Sequence, residues 1–179
     1  PWNTLKEFLY FQNYEDLSRL EYLNLSFYCL PTKILFLGGG SLPLTAILLA
    51  KNYNVQCKVV DYDTEAVELG RKLIEKLGLE KNIQYVLADA YDYNDTERYD
   101  VCYIAALIWG DEDTQKKLLS HIKDTIQVQY FLIRSSHGTR ELLYRKVSLS
   151  LLRKYLDIEH IIHPKNHIIN SIIIARNYE

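Results

Sequence analysis

The stretch ILFLGGGSLPLTAILL, residues Ile34 to Leu49, constrains this chain more than any other. Apolar residues typical of a buried strand run into three glycines, and an apolar helix pattern follows at once. Glycines adopt positive φ and have no Cβ, so a ligand can lie directly against their backbone N–H groups. Ser41 is a candidate helix N-cap and Pro43 suits a first turn, which would point the positive helix end at the same place. The sequence therefore predicts a strand–turn–helix unit that binds a carboxylate, a ribose or a phosphate.

Length and charge narrow the class of protein. The chain has 179 residues and a formal net charge of −2 at pH 7, with no basic cluster. We therefore expect one domain and no nucleic-acid partner. No apolar run approaches the roughly 20 residues that a bilayer span needs, and no signal-peptide pattern follows the first residue. These features predict a cytoplasmic protein without membrane contact.

The three cysteines are Cys29, Cys57 and Cys102. Their odd number, wide spacing and apolar surroundings favour reduced core thiols over disulfides or metal ligands, and we predict no metal site. The chain contains no methionine, not even at position 1. We therefore expect it to be a fragment or to lack some residues.

Acidic residues follow the second predicted strand, Val55 to Val60. Asp61 stands about 20 residues beyond the glycines, where nucleotide-binding α/β folds place the carboxylate that accepts the ribose hydroxyls. Tyr62 comes next, and Asp63 is the predicted N-cap of a helix that ends at Gly78. The buried face of that helix is predicted to contain Ala66, Leu69, Leu73 and Leu77.

The third and fourth predicted strands are Ile83 to Leu87 and Tyr99 to Leu107. Asp89 and Ala90 follow the third strand. An acid there commonly lies beside an adenine amino group in methyltransferase-like folds, although a turn-capping Asp explains the pattern equally well. The fourth strand is almost continuously apolar, which is typical of a central parallel strand.

Basic and polar residues crowd the end of the fifth predicted strand, Val128 to Ile133. These residues are Arg134, His137, Gly138, Arg140 and, one helical turn later, Tyr144. Ligands in open α/β sheets bind outside the carboxyl ends of the strands, so two guanidinium groups are well placed there to bind a carboxylate. A surface cluster without a ligand is the alternative interpretation.

The order of elements predicts an α/β fold. A helix near Ser148 to Tyr155 and two β-rich runs, Ile158 to Ile162 and Ile168 to Ala175, follow the fifth strand and indicate an antiparallel hairpin at the sheet edge. The fold class is a Rossmann-like, doubly wound sheet of about seven strands, as in S-adenosylmethionine-dependent methyltransferases. A dinucleotide oxidoreductase competes, but its fingerprint needs Gly or Ala where this chain has Pro43.

The first 31 residues alternate aromatic residues and leucines with acids and asparagines, which predicts one or two helices. Their notable polar residues are Tyr14, Arg19 and Glu21. From the pattern alone, a solvated helix face with an ion pair is the simpler interpretation. We predict a helical segment over residues 1–31, the remnant of a helical domain, before an S-adenosylmethionine-binding domain over residues 32–179.

Four motifs together resemble the nicotianamine synthase family. They are FLGGGSLPLTAI, the AAL at residues 105–107, RSSHGTRELLY and HPKNHIINSIIIAR. Enzymes of this family transfer the 3-amino-3-carboxypropyl group of S-adenosylmethionine to an amine and release methylthioadenosine. The resemblance implies S-adenosylmethionine as donor, a small amino-acid acceptor, a nicotianamine-type metal chelator as product, and no metal requirement.

The resemblance also implies roles for particular residues. S-adenosylmethionine binding is assigned to Gly38, Gly39, Gly40, Ser41, Leu42, Pro43, Asp61, Tyr62, Asp63, Asp89, Ala90 and Ala105. Carboxylates of donor or acceptor are assigned to Arg134, His137, Gly138, Arg140 and Tyr144. Glu21, in LSRLEYLNLS, best matches the family's catalytic glutamate, and Tyr14 is the second catalytic candidate.

Phe36 departs from the ordinary methyltransferase pattern, which has an acid two residues before the first motif glycine. That acid binds the methionine amino group, so the methionine end is expected to be held differently, as carbon-chain transfer requires. Two alternatives stay open: a conventional N-methyltransferase on the same fold, and a non-catalytic S-adenosylmethionine-binding subunit. A homodimer is compatible with the sequence.

Overall fold

The computed structural model describes residues 2–136, 146–169 and 171–178. The helices in these ranges are α1 (Trp2–Lys6), α2 (Phe11–Leu25), α3 (Leu44–Tyr53), α4 (Thr64–Leu77), α5 (Glu112–Thr125) and α6 (Leu149–Tyr155). The strands are β1 (Lys33–Leu37), β2 (Gln56–Asp61), β3 (Ile83–Leu87), β4 (Arg98–Ile104), β5 (Gln127–Ser135), β6 (Leu156–Ile162) and β7 (Ser171–Asn177).

Within the described ranges these strands form one seven-stranded sheet in the order β3-β2-β1-β4-β5-β7-β6. Strands β1 to β5 are parallel, and β7 pairs antiparallel with both β5 and β6. The doubly wound fold and its closing hairpin are confirmed. The strand order reverses between β1 and β4, so their carboxyl ends, at Leu37 and Ile104, border a crevice.

Helices cover both faces of the sheet and bury an apolar core on each. Helices α2, α3 and α4 cover one face, where Leu25, Ile47 and Val59 are fully buried. Helices α5 and α6 cover the other, where Leu118 and Leu152 are fully buried. Because the central strands are buried on both faces, their sequences are almost continuously apolar.

Helix α4 begins and ends where the sequence predicts. The Asp63 carboxylate accepts hydrogen bonds from the N–H groups of Glu65 and Ala66, at 2.9 and 3.3 Å. Gly78 ends the helix in the left-handed conformation, at φ 69°. An Asp cap and a glycine at C′ satisfy backbone groups that the helix leaves unpaired.

The prediction placed mostly the wrong residues on the buried face of α4. Its buried residues are Val67, Gly70, Ile74 and Leu77. Leu69 is instead 47% exposed, and Ala66 and Leu73 are only partly buried. Leu77 is the one residue that both sets share. The helix turns Gly70 inward because Tyr85 of β3 packs directly against it, which moves Leu69 to the solvent side.

Helix α3 starts later than the sequence suggests. It begins at Leu44, Pro43 occupies the N-cap position, and no side chain caps it. The Leu44 N–H donates to the Leu42 carbonyl at 2.8 Å, and Pro43 has φ −80° and ψ 58°, so Pro43 centres an inverse γ-turn. The predicted capping role of Ser41 is therefore wrong, because this extra turn separates Ser41 from the helix.

The N-terminal residues are helical, as predicted. Helix α2 packs on α3, and the Tyr22 and Tyr53 rings stack with centroids 3.8 Å apart. Arg19 is exposed, but Glu21 is fully buried. A solvated helix face is therefore the wrong interpretation for Glu21. The division at residues 31 and 32 stays a prediction.

The three cysteines are free thiols, and Cys57 and Cys102 are buried. Burial and the Asp100 charge raise the pKa of the Cys29 thiol to about 11. Across residues 2–136, 146–169 and 171–178, His, Cys, Asp and Glu side chains form no group of three that could hold a metal ion. None of the helices in these ranges combines the length and apolar character needed to cross a membrane.

A buried polar cluster joins the β3–β4 connection to the sheet. One oxygen of Asp95 accepts hydrogen bonds from the hydroxyls of Tyr93 and Tyr99, both at 2.5 Å, and from Lys58 Nζ at 2.8 Å. The Asp95 and Lys58 side chains are only 9% and 11% exposed. Burial alone would raise the pKa of Asp95, but these three hydrogen bonds outweigh it and hold the pKa well below its usual range.

Replacing Asp95 with asparagine is expected to lower the free energy of unfolding by about 2–4 kcal/mol at pH 7, because Lys58 loses a buried partner. Urea denaturation measures this, and Asp92→Asn on the exposed part of the same connection is the matched control. Since the pKa of Asp95 is lower in the folded state, its stabilisation is complete above about pH 5 and is lost as the pH falls. The difference between wild type and variant should therefore shrink between pH 5 and pH 2. A difference that stays constant over this interval would contradict the assigned role.

Candidate active site

A cavity of about 620 Å³ opens at the crevice between the carboxyl ends of β1 and β4. The glycine turn and the loops after β2, β3 and β4 form one part of its wall. Tyr14 of α2, Arg134 of β5, and Ile168 and Ile169 of the β6–β7 loop form the other. This volume lies within the usual range for small-molecule sites, and the position is the one that a doubly wound sheet favours.

Most residues predicted to bind the donor line this cavity. They are Gly38, Gly39, Gly40, Leu42, Pro43, Asp61, Tyr62, Asp63, Asp89, Ala90 and Ala105. Ser41 is the exception: its side chain is exposed and lies outside the wall. His137, Gly138, Arg140 and Tyr144 fall outside the described residues.

The glycine turn disfavours side chains, through backbone conformation at Gly38 and Gly40 and through lack of space at Gly39. Gly38 and Gly40 have φ of 82° and 62°, in the left-handed region that favours glycine. A Cβ on Gly39 would lie 2.1 Å from Cγ1 of Val59. The turn therefore presents bare backbone to the cavity, as contact with a flat or charged ligand group requires.

Asp61 is fixed at the end of β2 by the same turn. Its Oδ2 accepts a hydrogen bond from the Gly40 N–H at 2.7 Å, and its Oδ1 accepts one from the Asp63 N–H at 3.1 Å. An ionised carboxylate has about four acceptor positions, so capacity for ligand hydroxyls remains. Tyr62 follows with 78% of its surface exposed and offers its ring at the cavity edge.

Tyr85 supports the turn from below, a contact that the sequence analysis missed. Its hydroxyl donates to the Gly40 carbonyl at 2.7 Å. Burial, with the Asp61 charge, raises the pKa of Tyr85, so the hydroxyl keeps its proton. Gly70 makes room for the ring, since a Cβ there would lie 2.5 Å from Tyr85 Cζ. A glycine inside a helix pattern was the available signal.

The family resemblance implies S-adenosylmethionine as the ligand of this cavity. Replacing Tyr85 with phenylalanine is expected to weaken its binding about tenfold, because losing one hydrogen bond of roughly 1–1.5 kcal/mol loosens the Gly40 peptide. Calorimetric titration measures the dissociation constant. Tyr53→Phe, at the opposite end of α3 from the cavity, is the matched control and should leave binding unchanged. Equal dissociation constants for wild type and Tyr85→Phe would show that Tyr85 does not position the turn.

The loops after β3 and β4 close another side of the cavity. Asp89 Oδ1 accepts from the Tyr91 N–H at 2.9 Å, so Asp89 caps a turn, as one interpretation of the sequence expects. The Tyr91 hydroxyl donates to the Ile108 carbonyl at 2.9 Å and ties the two loops together. An adenine contact of Asp89 stays a prediction.

Glu21 and Arg134 meet at the far side of the cavity, although 113 residues separate them. Arg134 Nε donates to Glu21 Oε1 at 2.8 Å, and Nη2 donates to Glu21 Oε2 at 2.7 Å. Nη2 also donates to Thr45 Oγ1 at 2.7 Å. Arg134, Thr45 and Tyr14 line the cavity, whereas Glu21 is 0% exposed and lies behind that wall. Thr45 is a second residue that the sequence analysis missed.

Aromatic rings surround this pair. The Arg134 guanidinium lies 6.0 Å from the centroid of the Tyr103 ring, which packs 4.7 Å from that of Phe36. The Tyr103 hydroxyl is buried and has no hydrogen-bond partner among the residues described. Burial, with the Glu21 charge, raises the pKa of Tyr103. Burial alone would lower the pKa of Arg134, but Glu21 outweighs it, so the guanidinium stays charged.

The β6–β7 loop brings a third unpredicted contribution. Asn166 Nδ2 donates to the Asn13 carbonyl of α2 at 2.8 Å, and Asn166 Oδ1 accepts from the Ile168 N–H at 2.7 Å. The amide therefore joins the loop to the helix that carries Tyr14, and it places Ile168 and Ile169 in the cavity wall.

Sequence comparison connects this cavity with known proteins. The family model described as "Nicotianamine synthase protein" matches residues 1–179. The chain belongs to the nicotianamine synthase family. Nicotianamine synthase 2 of Arabidopsis thaliana and a nicotianamine synthase of Solanum lycopersicum are each 33% identical to it over 98% of the chain. The chain spans 57% of the length of these relatives.

Solved structures extend the comparison. A mutant of the nicotianamine synthase MtNAS in complex with S-adenosylmethionine is 27% identical, with a TM-score of 0.85, and the match covers 100% of this chain and 67% of that one. MtNAS in complex with MTA and tNA gives the same TM-score and identity over 65% of its chain. The N-methyltransferase NodS of Bradyrhizobium japonicum, 13% identical with a TM-score of 0.70 over 93% of this chain and 97% of its own, shares the fold alone. The predicted family and fold class are both confirmed.

Proposed function

We propose that this member of the nicotianamine synthase family transfers the 3-amino-3-carboxypropyl group of S-adenosylmethionine to the amine of an amino-acid acceptor. Methylthioadenosine is the by-product, and the product is a nicotianamine-type metal chelator. The observation that carries the proposal is one cavity with the glycine turn at one end and the Glu21–Arg134 pair at the other. The complexes of MtNAS with S-adenosylmethionine and with MTA and tNA support it.

The cavity suits the donor. Bare backbone at residues 38–40 can approach the nucleoside side of S-adenosylmethionine, and Asp61 can accept its ribose hydroxyls. Phe36 lines the wall where ordinary methyltransferases present an acid. The methionine amino group therefore has no carboxylate at that position, which favours a donor held with its carbon chain, not its methyl group, toward the acceptor.

The reaction is a displacement at carbon. The acceptor nitrogen attacks the carbon attached to the sulfonium, so a C–N bond forms while the C–S bond breaks and its electron pair stays on sulfur. Methylthioadenosine leaves as a neutral thioether. Because an ammonium cannot attack, the enzyme must orient the two reactants and remove one proton from the acceptor. We assign proton removal to Glu21, assistance at the cavity wall to Tyr14, and carboxylate binding to Arg134.

Product analysis tests the proposal and separates the alternatives. The chain is incubated with S-adenosylmethionine and a mixture of amino acids, and the products are identified by chromatography and mass spectrometry. We expect methylthioadenosine, together with an acceptor whose mass rises by one fixed step per transfer. S-adenosylhomocysteine would instead indicate an N-methyltransferase, and calorimetric binding of the donor without either nucleoside would indicate a non-catalytic subunit. Omission of the amino acids is the control reaction.

The proposal also includes the cellular location and the oligomeric state of the protein. Free cysteines such as Cys57 and Cys102 stay reduced in a cytoplasm, which is where we place the protein. We also propose a homodimer, which the sequence allows. Light scattering of the purified protein measures its molecular mass and so tests this.

A further inference from the structure

Glu21 is paired with Arg134 and does not line the cavity. Both of its oxygens accept hydrogen bonds from one guanidinium, and its exposed fraction is 0%. An acceptor amine placed in the cavity would be separated from Glu21 by the wall that Arg134, Thr45 and Tyr14 form.

Arg134 faces both sides of that wall. Its Nε and Nη2 bind Glu21 and Thr45, whereas Nη1 takes no part in these bonds. The side chain also lines the cavity. A carboxylate that enters the cavity therefore meets the Arg134 guanidinium before it meets Glu21.

We propose that the acceptor opens the pair: its carboxylate takes the Arg134 guanidinium, and the released Glu21 takes the proton of the acceptor's ammonium group. This inference rests on the proposed function. Arg134 is cationic and paired with a carboxylate both before and after the exchange. The ammonium becomes a neutral amine as Glu21 becomes a neutral acid, so charge and protons balance. The amine then attacks, and Glu21 returns its proton to solvent when Arg134 pairs with it again.

The surroundings explain why the released carboxylate becomes a base. A carboxylate buried without a cation is strongly disfavoured and relieves this by taking a proton. Among the described residues, the titratable groups that face the pair are Tyr14 from α2 and Tyr103 from β4, and neither carries a positive charge that could replace Arg134. The Tyr103 hydroxyl is buried and has no hydrogen-bond partner within the described ranges. The surroundings of the pair therefore offer little solvation, which favours neutral groups over charged ones.

Thr45 has a positioning role in this exchange. Its hydroxyl accepts from Nη2 of Arg134, so it ties the guanidinium to the cavity wall while the guanidinium is paired with Glu21. This exchange makes the site selective among acceptors. An amine that lacks a carboxylate leaves the Glu21–Arg134 pair intact and keeps its proton. The site therefore requires acceptors that carry both groups, and the carboxylate acts in the proton transfer itself as well as in binding.

The test compares an amino acid with the amine that lacks its carboxylate: histidine with histamine, and alanine with ethylamine. Methylthioadenosine formation by the wild-type protein gives kcat and KM for each acceptor. At pH 7 we expect saturating amine to show a kcat at least about 100-fold below that of the amino acid, since a buried charge pair is opened only by the carboxylate. The amine rate should rise about tenfold per pH unit from pH 7 to pH 9, because solution deprotonates more of the amine, while the amino-acid rate changes little.

Two results would overturn the inference while leaving the proposed function intact: an effect of the missing carboxylate on KM alone, or the same pH profile for amine and amino acid. Absence of methylthioadenosine with every acceptor would overturn the proposed function instead. Thr45→Val should narrow the ratio between the two kcat values, and Arg153→Lys on α6 is the surface control that should not change it. An unchanged ratio in Thr45→Val would remove Thr45 from the mechanism.

Discussion

Replacing Glu21 with glutamine is expected to lower kcat about 10²- to 10⁴-fold while S-adenosylmethionine binds as before, because an amide of the same shape cannot accept the acceptor's proton. In the proposed complex the donor's nucleoside end lies at the glycine turn, whereas the hydrogen bonds of Glu21 described above are to Arg134. Single-turnover formation of methylthioadenosine measures the chemical step, and calorimetry measures donor binding separately.

The same change also weakens folding. Arg134 keeps its charge but loses its buried counter-ion, so a loss of up to about 3–5 kcal/mol in the free energy of unfolding accompanies the kinetic effect. Glu15→Gln makes the identical chemical change on α2 and should leave kcat unaltered. A Glu21→Gln protein with kcat within tenfold of the wild type would exclude Glu21 as the base.

Replacing Gly39 with alanine is expected to raise the dissociation constant for S-adenosylmethionine at least about 100-fold, since the turn must move to avoid an overlap in a close-packed interior. The new Cβ would lie 2.1 Å from Val59 Cγ1, a distance that no pair of non-bonded carbons adopts. Val59 is a residue of β2 and is fully buried, so close packing restricts a rotamer change that would relieve the overlap. Calorimetric titration with the donor measures the effect.

A second substitution tests whether the overlap with Val59 causes the loss of binding. Val59→Ala removes the methyl group in question, so the Gly39→Ala, Val59→Ala double variant should bind the donor at least tenfold more tightly than Gly39→Ala alone. Val59→Ala by itself is the control for the cost of the small cavity. If the double variant binds no better than the single one, the steric explanation is wrong.

Local patterns predicted the fold and most of the residues that line the glycine-turn side of the cavity. The glycine turn, the acid after β2 and the capped helix from Asp63 to Gly78 all depend on residues close together in the chain. Backbone conformation and helix capping are short-range effects, so they leave readable signals in a single sequence. The exceptions, Ser41 as a cap and the phase of α4, are cases where a tertiary contact or one extra turn decides the outcome.

The acceptor side could not be derived in the same way. Glu21 pairs with Arg134 across 113 residues, and a glutamate on a helix is usually solvated. Only the family resemblance singled out Glu21, and nothing in the pattern predicted its burial. Thr45 and Asn166 act through contacts with distant elements, so their residue types alone carry no signal.

The bond between Asn166 and the Asn13 carbonyl ties the cavity wall to two distant parts of the chain. Helix α2 is joined to β5 by the Glu21–Arg134 pair and to the β6–β7 loop by Asn166. Neither β5 nor the β6–β7 loop is near α2 in the sequence. The complete wall therefore depends on long-range contacts, and a substitution in the β6–β7 loop can change the shape of a cavity whose glycine turn lies more than a hundred residues earlier.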